Sequence, residues 1–306
     1  MRILFLFLDG VGLGSDDPAI NPLAGADMPF WRGLLNGRAL TASAAPFASD
    51  MAALYALDAG LGVDGLPQSA TGQAVLLSGE NVPAALGYHY GPKPNPAVAA
   101  FLQNGRTLFS RLGAAGKSTA LLNAYPPGYF HNIQRGRRLH SAIPLAVTEA
   151  GLPLFTQHDL QAGRALSADF TGAGWREMLP LPDTPLLSPR QAGERLAHLA
   201  QGYDFSFFEY WLSDYAGHRQ DMDWALRQWG TLDEVLAGLV EHWDLRDDLI
   251  LITSDHGNME DLSTRRHTAA EVPALFIGQS HPLVSPMRRL TDVAPVILRL
   301  FRIPSV

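Results

Sequence analysis

The chain of 306 residues contains no cysteine. No disulfide framework can staple it, and any metal it binds must be held by oxygen and nitrogen donors. Charge is also scarce: 17% of the residues are charged, and the net charge is -7. That balance excludes the basic surface of a general nucleic-acid binder, although not a local basic pocket. Long apolar runs are missing, since no segment reaches the roughly 18 residues of a membrane span. The N-terminal run Ile3–Leu8 stops at Asp9 and is followed by Gly-Val-Gly, not by a small-residue cleavage site. Internal repeats and low-complexity tracts are absent. Together these absences point to a soluble, cytoplasmic protein that partners neither membranes nor nucleic acid.

What is present is apolar: 47% of the residues are hydrophobic, enough for a large buried core. Length alone allows one large α/β domain or two ordinary ones. Strand-length apolar runs occur at Ile3–Leu8, Thr119–Leu122, Phe205–Leu212, Leu249–Thr253 and Ala274–Ile277. Continuous runs of this kind suit strands buried on both faces of a mostly parallel sheet. Between Trp224 and Glu241, apolar residues recur every three or four positions, which predicts an amphipathic helix. Arg190–Ala200 and Thr291–Phe301 read the same way. The alternation implies an α/β layer architecture. Residues 125–187, rich in Pro, Gly and Arg, break the rhythm and read as an insert or small cap within a single domain spanning 1–306.

Three strand-like runs end in aspartate: Asp9 after the first, Asp214 after Phe205–Leu212, and Asp255 after Leu249–Thr253. One such Asp is an ordinary turn or helix-capping residue. Three delivered to the carboxyl edge of one open α/β sheet would repel one another unless cations sat among them. Histidines stand nearby. His218 follows Asp214 by four residues, an offset that brings both side chains to one point on a helical turn. His256 directly follows Asp255, and His267 lies in a polar loop before an apolar run. Mixed Asp and His ligation suits zinc or manganese better than calcium. Ser69, in Pro-Gln-Ser-Ala-Thr-Gly-Gln ahead of Ala74–Leu77, has two readings. It is either the N-cap of a helix or a nucleophile at a helix N-terminus, where backbone N–H groups favour phosphate.

These residues, in this order, resemble the motifs of the alkaline phosphatase superfamily, and within it most resemble cofactor-independent phosphoglycerate mutases and phosphopentomutases. Asp9-Gly-Val-Gly, Ser69-Ala-Thr-Gly-Gln, Asp214-Tyr-Ala-Gly-His218, Thr253-Ser-Asp-His-Gly-Asn258 and His267-Thr268 before Val272-Pro273 are its successive elements, and Gly163–Thr171 is similar to a further mutase segment. The resemblance implies a three-layer α/β sandwich and two divalent metal ions, zinc or manganese. It places one ion on Asp214, His218 and His267, and the other on Asp9, Asp255 and His256 with Ser69 bridging to it as nucleophile. The implied substrate is a small phosphorylated molecule, attacked in line to give a phosphoserine.

Two departures bear on the reaction. Gln73 stands where the mutases have a histidine, and the chain is much shorter than the bacterial mutases, with a small insert. Hydrolysis, by a phosphatase or phosphodiesterase, is therefore expected ahead of phosphomutase action. A sulfate-ester hydrolase is disfavoured because Ser69 lacks the Ser/Cys-x-Pro-x-Arg setting. A non-catalytic metal-binding relative is the remaining reading, opposed by the full set of ligands. Arg135, Arg137 and Arg138, beside His131 and His140, form a basic cluster that is either a phosphate contact or a solvated loop.

Overall fold

The structure, a computed structural model, describes residues 1–304. Among these residues nine strands are present: β1 Ile3–Leu8, β2 Phe47–Ala48, β3 Ala52–Leu57, β4 Thr119–Leu121, β5 Ala124–Tyr125, β6 Phe155–Thr156, β7 Phe205–Tyr210, β8 Leu249–Thr253 and β9 Val272–Ile277. Seven form one sheet in the order β2-β3-β9-β8-β1-β7-β4, and β5 pairs separately with β6. The centre is parallel, with β1 between β7 and β8 and β4 beyond β7. β9 runs antiparallel to both β8 and β3, and β2 is antiparallel to β3.

Side-chain alternation sorts the strands into two cores. Leu4, Leu6, Leu8, Phe208, Tyr210, Ile250 and Ile252 face one side, where the helices Pro189–Ala200 and Met222–Glu241 cover them. Ile3, Phe5, Phe7, Phe205, Phe207, Leu249 and Leu251 face the other, against Ser69–Ser78, Ala142–Glu149 and Val293–Leu300. The result is the expected three-layer α/β sandwich. Helix Ser69–Ser78 is buried along its whole length, which its uncharged residues permit.

The sequence reading differs from the structure in places with identifiable causes. The run Phe205–Leu212 is strand only to Tyr210, because its last apolar residue already belongs to helix Leu212–Arg219. Trp211, expected to be buried, is instead 45% exposed. β3 is absent from the sequence reading because its Ala-rich stretch lacks the β-branched residues that mark a strand. Within 125–187, helix Ala142–Glu149 belongs to the main helical layer. Ala124, Leu160, Ala165 and Trp175 form a small core of their own. Phe170, in the mutase-like segment Gly163–Thr171, stacks on Phe208 at 4.6 Å and serves packing.

Candidate metal centre

The strand register brings the motif ends to one edge. Phe7 lies opposite Thr253, and Leu8 opposite Tyr210, so the chain segments after β1, β7 and β8 leave the sheet side by side. Because β9 returns antiparallel from that same edge, the connecting loop carries His267 past Asp255 and His256. The segments are tied together. Ser213 Oγ donates to Asp9 O at 2.6 Å, Met259 N to Gly10 O at 2.9 Å, and Val11 N to Ser254 Oγ at 2.9 Å.

Asp214 and His218 lie one turn apart on helix Leu212–Arg219, with His218 Nε2 3.3 Å from Asp214 Oδ2. His267 Nε2 reaches to 3.8 Å from Asp214 Oδ1. Donor atoms of these three residues all lie within 4.8 Å of one another, the trio the resemblance implies. The second group converges on His256 Nε2, which is 3.4 Å from Asp9 Oδ1, 3.6 Å from Asp255 Oδ2 and 3.0 Å from Ser69 Oγ. Asp214 also falls within 4.8 Å of Asp9 and His256, so this carboxylate stands between the two groups.

All three histidines are oriented alike. Their Nδ1 atoms meet backbone carbonyls: Arg265 O for His218 at 2.7 Å, Gly257 O for His256 at 3.3 Å, and Pro67 O for His267 at 2.8 Å. With Nδ1–H donated to a carbonyl, the Nε2 lone pair is left facing inward, the tautomer a metal ligand requires. The rings of His256 and His267 stack at 3.8 Å.

Ser69 is the first residue of its helix, and Gln68 takes the cap position, so the N-cap reading of Ser69 does not hold. Its hydroxyl is turned to His256 instead. The motif glycine three residues on has a steric cause: a Cβ at Gly72 would come within 2.8 Å of Asp255 O. Only glycine lets the Ser69 turn press against the end of β8. Gln73 Nε2 donates to Asp9 Oδ2 at 3.4 Å and Asp255 Oδ2 at 3.3 Å, so it bridges the two carboxylates.

The electrostatics argue that cations fit here. Burial, then the charges of Asp255 and Asp214, push the Asp9 carboxyl well above its ordinary range. Burial and Asp214 push Asp255 up to about 7. Burial also acts to raise Asp214, but the hydrogen bond from His218, the charge of His256 and Asn258 hold it low, at about 2. Asp9 Oδ1 is buried with no hydrogen-bond donor. Crowded carboxylates, an orphaned carboxylate oxygen and three inward Nε2 lone pairs are a donor set that fits hard or borderline cations.

Several neighbouring residues lie outside the expected ligand set, and of these Glu209, Glu260 and Lys93 carry no sequence signal. Asn258 Nδ2 donates to Asp214 Oδ1 at 2.7 Å. Glu260, two residues beyond the Thr253–Asn258 motif, is buried and ties the segment after β1 to both ends of the β8–β9 connection. Glu209 on β7 accepts from Tyr125 Oη at 3.2 Å. Burial, then Asp255, raise it to about 7 against the pull of Tyr125. Of the basic cluster, Arg138 lies over the Tyr129 ring at 4.8 Å, and Tyr129 meets both the Tyr125 ring at 4.6 Å and His140 Nδ1 at 2.7 Å. Lys93 lies on the loop after Gly91, whose backbone abuts Ser69. Burial and then the charge of Arg138 lower its pKa.

Comparison with known proteins agrees with this geometry. Residues 187–305 match the Metalloenzyme superfamily, the stretch that carries Asp214, His218, Asp255, His256 and His267. The chain is 25% identical over 260 residues to the 2,3-bisphosphoglycerate-independent phosphoglycerate mutase of Wolinella succinogenes, covering 73% of this chain and 52% of that protein. It is 33% identical over 130 residues to the enzyme of the same name from Thiobacillus denitrificans, covering 40% of this chain and 25% of that protein. The chain thus spans between a quarter and about half of the length of these curated relatives. In fold it is similar to an alkaline phosphatase from the Antarctic bacterium TAB5, with a TM-score of 0.55 and 10% identity over 99% of this chain and 98% of that one. It is likewise similar to a phosphoglycerate mutase from Leishmania mexicana, with a TM-score of 0.53 and 12% identity over 100% and 96%. The resemblance read from the sequence is borne out: the fold is alkaline phosphatase-like, and residues 187–305 match the Metalloenzyme superfamily. Its named sequence relatives are cofactor-independent phosphoglycerate mutases.

Proposed function

We propose that this protein is a two-metal phosphoryl-transfer enzyme that acts through Ser69 on a small phosphoester and releases the phosphoryl group to water. The observation that carries this reading is the convergence of Asp9, Asp214, His218, Asp255, His256 and His267 on one sheet edge, with Ser69 Oγ 3.0 Å from His256 Nε2. Asp214, His218 and His267 would hold one divalent ion, zinc or manganese; Asp9, Asp255, His256 and Ser69 would hold the other. When bound, such ions neutralise phosphoryl oxygens and lower the pKa of a coordinated hydroxyl.

The remaining steps fall to the chain. The N–H groups of Ser69 and Ala70, unpaired among the described residues, point the positive end of a helix at an incoming phosphoryl group. Gln73 fixes the carboxylates of Asp9 and Asp255. Lys93 and Arg138 add the positive charge that an anionic substrate favours. Ser69 Oγ forms the new bond to phosphorus as the ester oxygen leaves on the opposite side. Water then breaks the phosphoserine and restores the hydroxyl. The side chain of His218 is 44% exposed, which supports water as the acceptor. The names of the sequence relatives favour the second reading, a phosphomutase that returns the group to its own organic product.

The test is p-nitrophenyl phosphate turnover with zinc or manganese added. Ser69→Ala, which removes only a neutral hydroxyl and leaves Asp9, Asp255 and His256 to the second ion, is expected to keep its metal and lose on the order of a thousandfold or more in kcat. No release by metal-replete protein, or undiminished release by Ser69→Ala, contradicts the proposal. Movement of phosphate between positions of one phosphorylated acid, without free phosphate, selects the mutase.

A further inference from the structure

Glu260 is 2% exposed and makes no ion pair among the described residues. Its carboxylate is satisfied by hydrogen bonds alone. Oε2 accepts from Gly12 N at 2.8 Å and from Asn258 N at 2.8 Å, and Oε1 accepts from Thr268 Oγ1. These donors come from two connections, Gly12 from the one after β1 and Asn258 and Thr268 from the two ends of the one between β8 and β9, and each lies within three residues of a proposed metal ligand: Gly12 after Asp9, Asn258 after His256, and Thr268 after His267. The loops have been shaped around this side chain. A Cβ at Gly12 would lie 2.5 Å from Glu260 Cδ, one at Gly14 2.8 Å from its Cβ, and one at Gly257 would overlap both Glu260 and Thr268. Three glycines are therefore needed to admit one buried carboxylate.

A neutral side chain could tie the loops as well. A glutamine amide would turn its oxygen to the two N–H groups and its NH2 to the Thr268 hydroxyl, which can accept. A carboxylate adds only a negative charge, and burying it without a counter-charge is costly in a low-dielectric interior. The positive charge that would offset it is a divalent ion on the ligands its three partners carry.

Resting on the two-metal reading above, we infer that Glu260 is a positioning residue whose charge, and not only its hydrogen bonds, strengthens metal binding from outside the coordination sphere. Ligands oriented by such outer carboxylates lose about 10- to 100-fold in metal affinity when the carboxylate is neutralised.

Zinc affinity, measured by competition with a chromogenic chelator, and thermal unfolding of the chelator-treated protein form the test. Glu260→Gln is expected to weaken zinc binding by about 10- to 100-fold. It should leave the Tm of the metal-free protein equal to or above that of the parent, because an unpaired buried charge is gone. Glu260→Ala, which removes the ties as well, should lower both. Unchanged zinc affinity in Glu260→Gln overturns the inference, and so does a lowered metal-free Tm in that variant, which would mark a purely structural tie. A parent protein that binds no zinc or manganese overturns the two-metal reading itself, and is told apart by the parent measurement alone.

Discussion

At the scale of single residues, carboxyl groups dominate the chemistry of this edge, and their environments differ. Glu209 is set apart from the proposed ligands. Burial raises it from 4.5 to about 7. Its ionisation is therefore penalised in the folded state. The penalty is absent below pH 4.5, grows as pH rises towards 7, and is complete above that, reaching about 3 kcal/mol for a gap of this size. Glu209→Gln, which can still accept from Tyr125 Oη, is expected to raise the Tm of the chelator-treated protein at pH 8 and to change it little at pH 4.5. An equal shift at both values would mean that the carboxyl ionises freely in the fold. Aspartate and histidine at strand ends were legible because Asp9, Asp214 and Asp255 each follow an apolar run. Glu209 and Glu260 were not, since neither marks a run's end. Glu209 sits inside an aromatic run that gives no sign of a buried carboxyl, and Glu260 acquires its role only when the segment after β1 meets the β8–β9 connection.

At the scale of elements, the helix pair Pro189–Ala200 and Met222–Glu241 forms much of one face of the sandwich. Both were legible from their spacing of apolar residues, because a helix half-exposed to water must concentrate them on one side. Their closeness was not. A Cβ on Gly238 would overlap the backbone carbonyl of Arg190, and one on Gly193 would overlap Val235 O. Gly238→Ala should force the helices apart and cost about 1–3 kcal/mol, read as a lowered Tm in thermal unfolding. A Tm equal to the parent's would show that the contact yields without cost. The strands β1 and β8 were read with their observed limits, since both are fully buried runs bounded by turns. β3 escaped notice because alanine gives no period. The reversal of β9 escaped notice because direction is set by the connection and not by the residues of the strand. That reversal matters to the site: it returns the chain along the ligand edge and brings His267 to Asp214.

At the scale of the whole molecule, the parallel centre of the sheet delivers strand ends to one edge, and the antiparallel β9 folds the last ligand loop back onto it. No helix among the described residues is long and apolar enough to cross a membrane. The fold is shared with phosphatases and phosphoglycerate mutases alike, so the choice between hydrolysis and mutase action rests on the site and its surroundings rather than on the architecture.

The proposed mechanism requires two divalent ions on this edge. Elemental analysis of protein equilibrated with zinc or manganese and freed of excess metal tests it most directly. Close to two ions per chain are expected, falling to about one in His218→Ala and in Asp9→Asn, because each substitution removes a ligand from a different group. A parent protein without bound metal, or two variants with the parent's full content, would contradict it.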